Sequence, residues 1–325
     1  MRALIIGTGS IGRRHIKTLQ ARQPGAEFIL VRREGRRDDF SDSLKARVTA
    51  TVPEAIDLRP DFAVVATPSA FHLDALLPLI SAGLPIYVEK PVVATRLQLQ
   101  TLADALQRQR SSAPTFSGCN LRLLPSLRKV KDLLAAEAIG RVVRASFQAG
   151  QWLPDWRPGR DYRESYSADP ARGGGVLLDL VHEVDAARWL LGDFDQVLAL
   201  AGKFSSLEIL SEDCAAVLLG RTKGGPIATV TLDYVSRRPV RRYEFVGDRG
   251  TLVWDLQGKK LDRVSADGEE TIDCGPGGFD VASTYGAAMD EFLDCVRSGR
   301  PTSQDLREGM KSAELAIRAK ETASA

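Results

Sequence analysis

The stretch RALIIGTGSIG, residues 2–12, decides the fold of the first part of this chain. Ala3–Ile6 is a short apolar run, which fits a buried strand of a parallel sheet. A GxGxxG pattern follows at residues 7–12 and opens a helical stretch that ends near Arg22. The pattern alone also occurs in ordinary glycine turns, but between a strand and a helix it is typical of a dinucleotide-binding turn.

Each position of this glycine turn has a physical role. Gly7 permits a tight turn, Gly9 lets a pyrophosphate approach the backbone, and Gly12 allows the helix to pack closely on the strand. The positive end of the helix, at Ser10 and Ile11, favours an anion. These five residues are the predicted contacts to a dinucleotide.

Strands and helices alternate through the first third of the chain. Further strand-like runs follow at Phe28–Val31, Phe62–Ala66, Pro85–Val88 and Thr115–Cys119. Helical spacing recurs at 70–82 and 95–109. The alternation predicts an α/β fold with a doubly wound parallel sheet, so that residues 1–119 form a dinucleotide-binding Rossmann domain.

Length and composition narrow the class of protein. The chain has 325 residues, and a prior of roughly 150 residues per domain gives two domains. The net charge of +2 argues against a nucleic-acid binder, which carries a basic excess. The first apolar run is too short for a signal peptide, and no stretch approaches the roughly 20 apolar residues of a membrane helix, so a cytoplasmic protein is expected. The four cysteines lack zinc spacing, and no metal site is predicted.

The residues after the second strand normally select the dinucleotide. NAD enzymes place an acid there for the ribose hydroxyls, whereas an arginine suits the 2′-phosphate of NADP. Arg32 and Arg33 occupy this place, and Glu34 is the nearest acid. The sequence therefore favours NADP. In the alternative, the arginines only solvate a loop and Glu34 holds NAD.

Lys90 follows the strand-like run Ile86–Val88 within the triplet Glu89-Lys90-Pro91. Ligands of open α/β sheets bind at the carboxyl ends of the strands, so Lys90 is expected where a cofactor and a substrate would meet. A lysine in a partly desolvated cleft can stabilise a developing alkoxide. The alternative is a surface pair between Glu89 and Lys90.

The chain changes character after Cys119. A helix fits 125–137, and strand-like runs follow at 141–149, 196–204, 214–220, 227–235, 241–247 and 250–255. Hairpin-type turns between several of them predict an antiparallel sheet with one face free. We therefore expect residues 120–325 to form a substrate-binding and oligomerisation domain, and the protein to be a homodimer or homotetramer.

A long segment without regular pattern, residues 151–175, carries four aromatic residues and several arginines. Aromatic faces stack on sugar rings, and arginines clamp carboxylates or phosphates. The segment is interpreted as a lid for a charged sugar, with Trp156, Arg157 and Arg163 as candidate contacts. The alternative is an ordered loop that packs on a neighbouring subunit.

The stretch GGGVLLDLVHEVDAARWLLG, residues 173–192, is predicted to be an apolar helix with one polar sector. The sector contains Asp179, His182, Glu183 and Asp185, and we expect it to line a cleft. Histidine has a pKa suited to a general base, and a nearby carboxylate can orient it. A purely structural histidine is the alternative.

Four motifs in this order resemble the Gfo/Idh/MocA family of NAD(P)-dependent sugar and cyclitol oxidoreductases. They are GTGSIG, VVATPSAFH at 64–72, EKP at 89–91 and the glycine-led DLVHEVD at 179–185. The resemblance spans nearly the whole chain and implies a Rossmann domain followed by an α/β domain with a large, open, mostly antiparallel sheet.

The resemblance also implies roles for single residues. His182 would be the general base, Lys90 would polarise the hydroxyl, and Asp179 would position substrate or histidine. The family usually separates the aspartate and histidine by three residues, whereas two intervene here, which puts the role of Asp179 in doubt.

Further candidates follow from matching motifs, and for His72 packing is the alternative. Thr67, Pro68 and His72 would border the cofactor together with Glu89, and Asn120 and Arg122 would reach the substrate. Arg122 could equally brace the domain junction.

The leading hypothesis is hydride transfer between NAD(P) and a hydroxyl-bearing carbon of a sugar, sugar acid or nucleotide sugar. Two alternatives stay open. One is a redox-assisted, NAD-dependent glycosidase on the same scaffold. The other is a non-catalytic dinucleotide sensor or regulator. No nucleic acid or membrane partner is expected.

Overall fold

The computed structural model describes residues 1–109 and 111–323, apart from the side chain of Arg33. The chain forms two compact units. The first consists of Met1–Cys119 and Tyr285–Ala313, and the second of Asn120–Thr284 and the residues from Glu314 on.

The first unit is built on a parallel sheet of six strands. They are β1 (Arg2–Ile6), β2 (Glu27–Val31), β3 (Arg47–Thr49), β4 (Phe62–Val65), β5 (Ile86–Val88) and β6 (Thr115–Ser117). Their order is β3-β2-β1-β4-β5-β6, with every pair parallel. The order reverses between β1 and β4, and this switch point is where such sheets bind ligands. The predicted Rossmann sheet is confirmed.

Helices connect these strands. They are α1 (Ser10–Arg22), α2 (Asp39–Ser43), α3 (Val52–Asp57), α4 (His72–Ser81) and α5 (Arg96–Arg108). Threonine hydroxyls cap two of them, because Thr51 accepts from the backbone N–H of Glu54 and Thr95 from that of Gln98. The strand β3 and the helices α2 and α3 were not predicted. The strand has three residues, none of them buried, and so lacks an apolar signal.

The second unit contains a sheet of eight strands. They are β7 (Val142–Gly150), β8 (Gln196–Gly202), β9 (Cys214–Gly220), β10 (Ile227–Asp233), β11 (Val240–Gly247), β12 (Gly250–Asp255), β13 (Lys260–Ser265) and β14 (Gly268–Thr271). Their order is β14-β13-β12-β11-β7-β10-β9-β8, and every pair except β7 with β10 is antiparallel. The predicted open, mostly antiparallel sheet is confirmed.

One face of this sheet forms a hydrophobic core with the helices α6 (Pro125–Ala135), α7 (Val176–Asp179) and α8 (Val181–Leu191). Phe147 and Tyr243 lie fully buried at its centre. The indole N–H of Trp254 donates to the hydroxyl of Ser126 over 2.8 Å and so ties β12 to α6.

The sequence predicted one helix for the glycine-led stretch 173–192, but the structure contains two, α7 and α8. Leu180, with φ −96° and ψ 33°, separates α7 from α8. Gly174 and Gly175 bring the chain into close contact with the preceding loop, since their amides donate to the carbonyls of Asp169 and Ser167. The break changes the angle between Asp179 and His182 that a continuous helix would give.

Two helices follow the second sheet, α9 (Val281–Ser298) and α10 (Leu306–Ala323). The sequence-based division placed all of 120–325 in the second domain, whereas the structure groups Tyr285–Ala313 with the first unit. Contacts inside that unit give the reason. Asp290 pairs with Arg22 over 2.5 Å, and Phe292 packs edge-on against Phe62 with the ring centroids 5.6 Å apart.

Two further findings bear on the class of protein. Within the described ranges, no helix combines the length and the apolar character that crossing a bilayer needs. All four cysteines are free thiols.

Candidate active site

The glycine turn after β1 has the geometry of a dinucleotide cradle. Gly7 has φ +95°, and a Cβ there would lie 2.6 Å from the carbonyl oxygen of Ala66. A Cβ at Gly12 would overlap the carbonyl oxygen of Gly7, whereas one at Gly9 would meet nothing within 4 Å. Among the described side chains, none caps the N-terminus of α1. The space beside Gly9 and the uncapped amides of the first turn, at Ser10 and Ile11, suit a phosphate.

The residues after β2 are linked by ion pairs. Arg32 lies 2.6 Å from Asp38, and Arg36 lies 2.6 Å from Glu34. Hydrogen bonds from the Ser41 amide and from Arg32 hold the pKa of Asp38 below its usual value. Glu34 has φ +56°, which is strained for a residue with a side chain. The side chain of Arg33, the other predicted contact to a 2′-phosphate, lies outside the described part of the structure.

His72 holds together the loops that follow β4 and β5. One ring nitrogen lies 2.9 Å from the carbonyl oxygen of Pro91 and the other lies 2.8 Å from that of Thr67. Burial lowers the pKa of His72, which favours the neutral ring, and a neutral ring donates to only one of these carbonyls. Both ring nitrogens thus face backbone atoms. Thr67 and Pro68 are half-buried.

Glu89 points into the interior of the first unit. Its carboxylate lies 2.6 Å from the Nε2 atom of His15, a buried residue on α1. Burial alone would raise the pKa of Glu89, but the hydrogen bond and charge of His15, together with the charge of Lys90, leave it lowered. Lys90 itself is half-buried, and its peptide bond to Pro91 is cis.

In the second unit, Asp179 is a buried carboxylate that accepts three hydrogen bonds. The hydroxyl of Tyr166 donates to one oxygen, and those of Ser167 and Tyr234 donate to the other over 2.7 Å and 3.1 Å. Burial and the charge of Asp179 raise the pKa of Tyr234 well above its usual value, so this phenol stays protonated. Asp179 therefore joins the 151–175 segment to α7 and to Tyr234, the residue that follows β10.

The other carboxylates of the predicted polar sector are also buried against protein partners. Glu183 accepts from the hydroxyl of Tyr243 over 3.0 Å and pairs with Arg241 over 2.7 Å. Asp185 receives two hydrogen bonds from the guanidinium of Arg122, over 2.9 Å and 2.6 Å. His182 is half-buried. Of the four ionisable residues expected to line a cleft, it alone is not buried.

The 151–175 segment is ordered by contacts within the second unit. The Trp156 ring packs edge-on against Tyr234, with the centroids 5.2 Å apart, and the Arg157 guanidinium lies 5.4 Å above the ring of Tyr166. Trp156 and Arg157 therefore adjoin the tyrosines that bind Asp179. Arg163 points elsewhere and pairs with Asp161 and Glu208.

Two predicted substrate contacts after β6 are buried in the second unit. Asn120 donates to the hydroxyl of Thr284 over 2.6 Å, and Arg122 is held by Asp185. Arg122 therefore ties the turn after β6 to α8 inside the second unit, and its contact with a substrate stays a prediction.

Sequence reasoning missed the hydroxyls around Asp179 and the partner of Glu89. Tyr166 was noted only as an aromatic residue of the loop, and nothing in the sequence near Tyr234 connects it with residue 179. His15 carried a usable signal, because it follows Gly12 by three residues on the buried face of α1.

The predicted residues fall in both units. Gly7, Arg32, Thr67, His72, Glu89 and Lys90 belong to the first, and Asn120, Arg122, Trp156, Arg163, Asp179 and His182 belong to the second. Within the first unit the structure gathers the glycine turn, the Thr67 loop and the Lys90 turn at the carboxyl ends of β1, β4 and β5. Within the second it gathers Trp156 and Arg157 near Asp179.

Comparison with known proteins agrees with this architecture. Residues 1–113 match the oxidoreductase family with an NAD-binding Rossmann fold, and residues 127–253 match the GFO/IDH/MocA C-terminal domain. A levoglucosan dehydrogenase in complex with NADH has the same fold, with a TM-score of 0.85 over 100% of this chain and 97% of that chain, at 19% identity.

Sequence relatives include the rhizopine catabolism protein MocA of Rhizobium meliloti, 29% identical over 196 residues, which cover 58% of this chain and 56% of that protein. An inositol 2-dehydrogenase/D-chiro-inositol 3-dehydrogenase of Shouchella clausii is 25% identical over 316 residues, which cover 93% of this chain and 86% of that protein. The chain spans only about half the length of the first sequence relatives that it matches, MocA among them. Since the two family models together span most of its residues, the chain belongs to the Gfo/Idh/MocA family of oxidoreductases and carries an NAD(P)-binding Rossmann domain at its N-terminus.

Proposed function

We propose that the protein transfers a hydride between NAD(P) and a hydroxyl-bearing carbon of a sugar, sugar acid or nucleotide sugar. The observation that carries this proposal is the arrangement of three loops at one edge of the Rossmann sheet. The open glycine turn follows β1, the Thr67 loop follows β4, and Lys90 follows β5. A dinucleotide bound across this edge would present its reactive ring near the Lys90 turn.

The residues of the first unit fit a dinucleotide. The turn at Gly7, Gly9 and Gly12 and the N-terminus of α1 would hold its pyrophosphate. The nicotinamide ring supplies the hydride acceptor or donor when bound. We propose NADP as the preferred form, with Arg32 beside the 2′-phosphate at the end of β2. The Asp38 carboxylate competes for that guanidinium.

Lys90 and His182 are the proposed catalytic residues. The ammonium of Lys90 would donate a hydrogen bond to the substrate oxygen and stabilise the developing alkoxide. His182, the accessible ionisable residue of the α7–α8 stretch, would accept the hydroxyl proton. Asp179 would position the loop that carries Trp156 and Arg157, because its carboxylate accepts hydrogen bonds from three hydroxyl groups.

The substrate class rests on Trp156 and Arg157 and on relatives. Trp156 offers an aromatic face for a sugar ring, and Arg157 offers a cation for an acidic group. Solved levoglucosan dehydrogenase complexes contain levoglucosan or L-sorbose, and other relatives act on inositol by name. A sugar or polyol substrate fits these findings.

The test combines dinucleotide titration with a substrate screen. NADPH and NADH binding is measured by fluorescence, and levoglucosan, myo-inositol, glucuronate and UDP-N-acetylglucosamine are assayed with NADP and NAD. We expect Lys90→Ala and His182→Ala to lower kcat roughly 10²- to 10⁴-fold on the best substrate while dinucleotide binding persists.

Other outcomes of this test point to other functions. Cleavage of a glycoside without net dinucleotide reduction would identify a redox-assisted glycosidase. Binding with no turnover of any glycoside or polyol would favour a sensor. Failure of the wild-type protein, freed of retained cofactor, to bind either dinucleotide would refute the proposal.

We further propose that the protein is a homo-oligomer that pairs through the free face of its second sheet. Leu198, Leu200 and Leu218 are exposed there on neighbouring strands. A free sheet face with apolar residues is suited to pairing with a second copy.

A further inference from the structure

We propose that Glu89 is a positioning residue that acts on Lys90 from the interior through its contact with His15, and that it does not bind the dinucleotide. The inference rests on the proposed function, because it takes Lys90 as the group that meets the substrate.

The direction of the Glu89 side chain is the first argument. Its backbone N–H donates to the carbonyl oxygen of Val65 over 2.9 Å and continues the ladder between β4 and β5. The residue is 7% exposed. One carboxylate oxygen lies 2.6 Å from the Nε2 atom of His15, and the other lies 3.4 Å from the backbone nitrogen of Lys90. Both oxygens are thus directed at protein atoms.

The rigidity of His15 is the second argument. It is fully buried on α1, and its ring packs edge-on against Tyr87 and Tyr285, with centroid distances of 4.8 Å and 6.4 Å. A ring fixed in this way holds the Glu89 carboxylate in one place. The helix that begins at the glycine turn is thereby connected to the turn that carries Lys90.

The other side of the same turn is held by His72, which contacts the carbonyl oxygen of Pro91. Lys90 therefore lies between two residues that buried histidines hold, Glu89 and Pro91. This arrangement fixes the backbone from which the flexible side chain of Lys90, with its four rotatable bonds, extends.

Charge is the third argument. The positive charge of Lys90 and the contact with His15 keep the Glu89 carboxylate ionised despite its burial. The same interaction places a negative charge within electrostatic reach of the Lys90 side chain, the group proposed to donate a hydrogen bond to a substrate oxygen. Loss of His15 would leave a buried carboxylate without its partner, and such a group takes up a proton.

The experiment uses trace acetylation of the full-length protein at pH 8, because acetic anhydride reacts only with neutral amines. Mass spectrometry gives the ratio of labelled Lys90 to labelled Lys17, an exposed lysine on α1. We expect Glu89→Gln and His15→Ala to raise this ratio roughly threefold or more. His15→Gln, which keeps an N–H donor, should stay close to wild type.

The control is Asp290→Asn, which removes the ion pair at the other end of α1 and should leave the ratio unchanged. Each variant is labelled at a temperature where its circular dichroism matches that of the wild type. The His15 variants keep the test intact if Glu89→Gln does not fold.

NADPH and NADH affinities are measured on the same proteins. The proposal expects Glu89→Gln to bind the better dinucleotide within about twofold of wild type. A labelling ratio unchanged in both Glu89→Gln and His15→Ala overturns it, and so does an unchanged ratio with a tenfold loss of affinity, which would make Glu89 a cofactor contact. If the wild type binds neither dinucleotide, the proposed function fails, whereas the labelling ratio still tests the link between Glu89 and Lys90.

Discussion

An added methyl group would meet different surroundings at Gly9 and at Gly12, although the two residues share one turn. A Cβ at Gly9 meets open space, and its φ of −68° is allowed for alanine. We expect Gly9→Ala to keep the wild-type Tm and to weaken dinucleotide binding at least tenfold, because the methyl group fills the space that a pyrophosphate would occupy. Isothermal titration with NADPH and NADH measures the loss.

Gly12→Ala is the matched comparison, because its Cβ would overlap the carbonyl oxygen of Gly7. This variant should lose roughly 1–3 kcal/mol of stability in urea denaturation, the usual cost of overpacking. Equal effects of the two substitutions on Tm would contradict the assignment of Gly9 to the ligand and Gly12 to packing.

His72 should make stability depend on pH in a defined direction. Burial lowers its pKa in the folded state, so the unfolded chain binds the extra proton more readily as the pH falls below about 6.5. The free energy of unfolding then decreases towards acid, by at most about 1.4 kcal/mol per pH unit for one proton. Urea denaturation of wild type and His72→Asn between pH 8 and pH 5 measures this slope.

The free energy of unfolding of His72→Asn should decrease less steeply between pH 8 and pH 5 than that of the wild type. Carboxylates such as Glu89, whose pKa is also lowered, act at lower pH, because their contribution is lost only below the usual value near 4.5. Identical slopes in both proteins would show that His72 does not stay neutral in the folded state.

At the scale of elements, the pair of Arg122 and Asp185 fixes α8 to the turn that follows β6. The side chains are 8% and 2% exposed, and breaking such a pair removes the charge that balances the remaining buried one. We expect Asp185→Ala to lower the free energy of unfolding by roughly 3–5 kcal/mol. Equilibrium urea denaturation measures this loss.

The double variant Arg122→Met/Asp185→Leu should recover most of that stability, because both charges are then removed together. Full stability of the single Asp185 variant would mean that Arg122 finds another partner. That result would favour Arg122 as a substrate contact.

The elements that sequence reasoning located share strong periodicity or strong boundaries. β1, β4 and β5 are apolar runs, and α1 follows a glycine turn. The strands β13 and β14 were missed, because β13 buries only Leu261 and β14 buries nothing. The break at Leu180 was missed because the apolar spacing continues across it, and only the backbone dihedral angles of Leu180 reveal it.

At the scale of the whole molecule, the order of motifs in the sequence predicted the fold class. It could not predict contacts between side chains that are far apart in the sequence. The dinucleotide turn is local in sequence and could be located from its motif. The partners of Asp179 lie 12, 13 and 55 residues away, and the partner of Glu89 lies 74 residues away. Such contacts depend on strand order and register, which the motifs do not specify.

The free face of the second sheet gives the last prediction. Its outward positions alternate with half-buried residues along β8 and with buried residues along β9, and Leu198 pairs in register with Leu218. Leu200, on the edge strand β8, is 78% exposed. We expect Leu200→Glu to shift the protein from oligomer to monomer in light scattering coupled to gel filtration, since a charge there would be buried by a second copy. The matched control is Leu97→Glu on α5, a leucine 72% exposed in the first unit, which should leave the assembly unchanged. A wild-type monomer, or equal dissociation by both substitutions, would rule out this face as the interface.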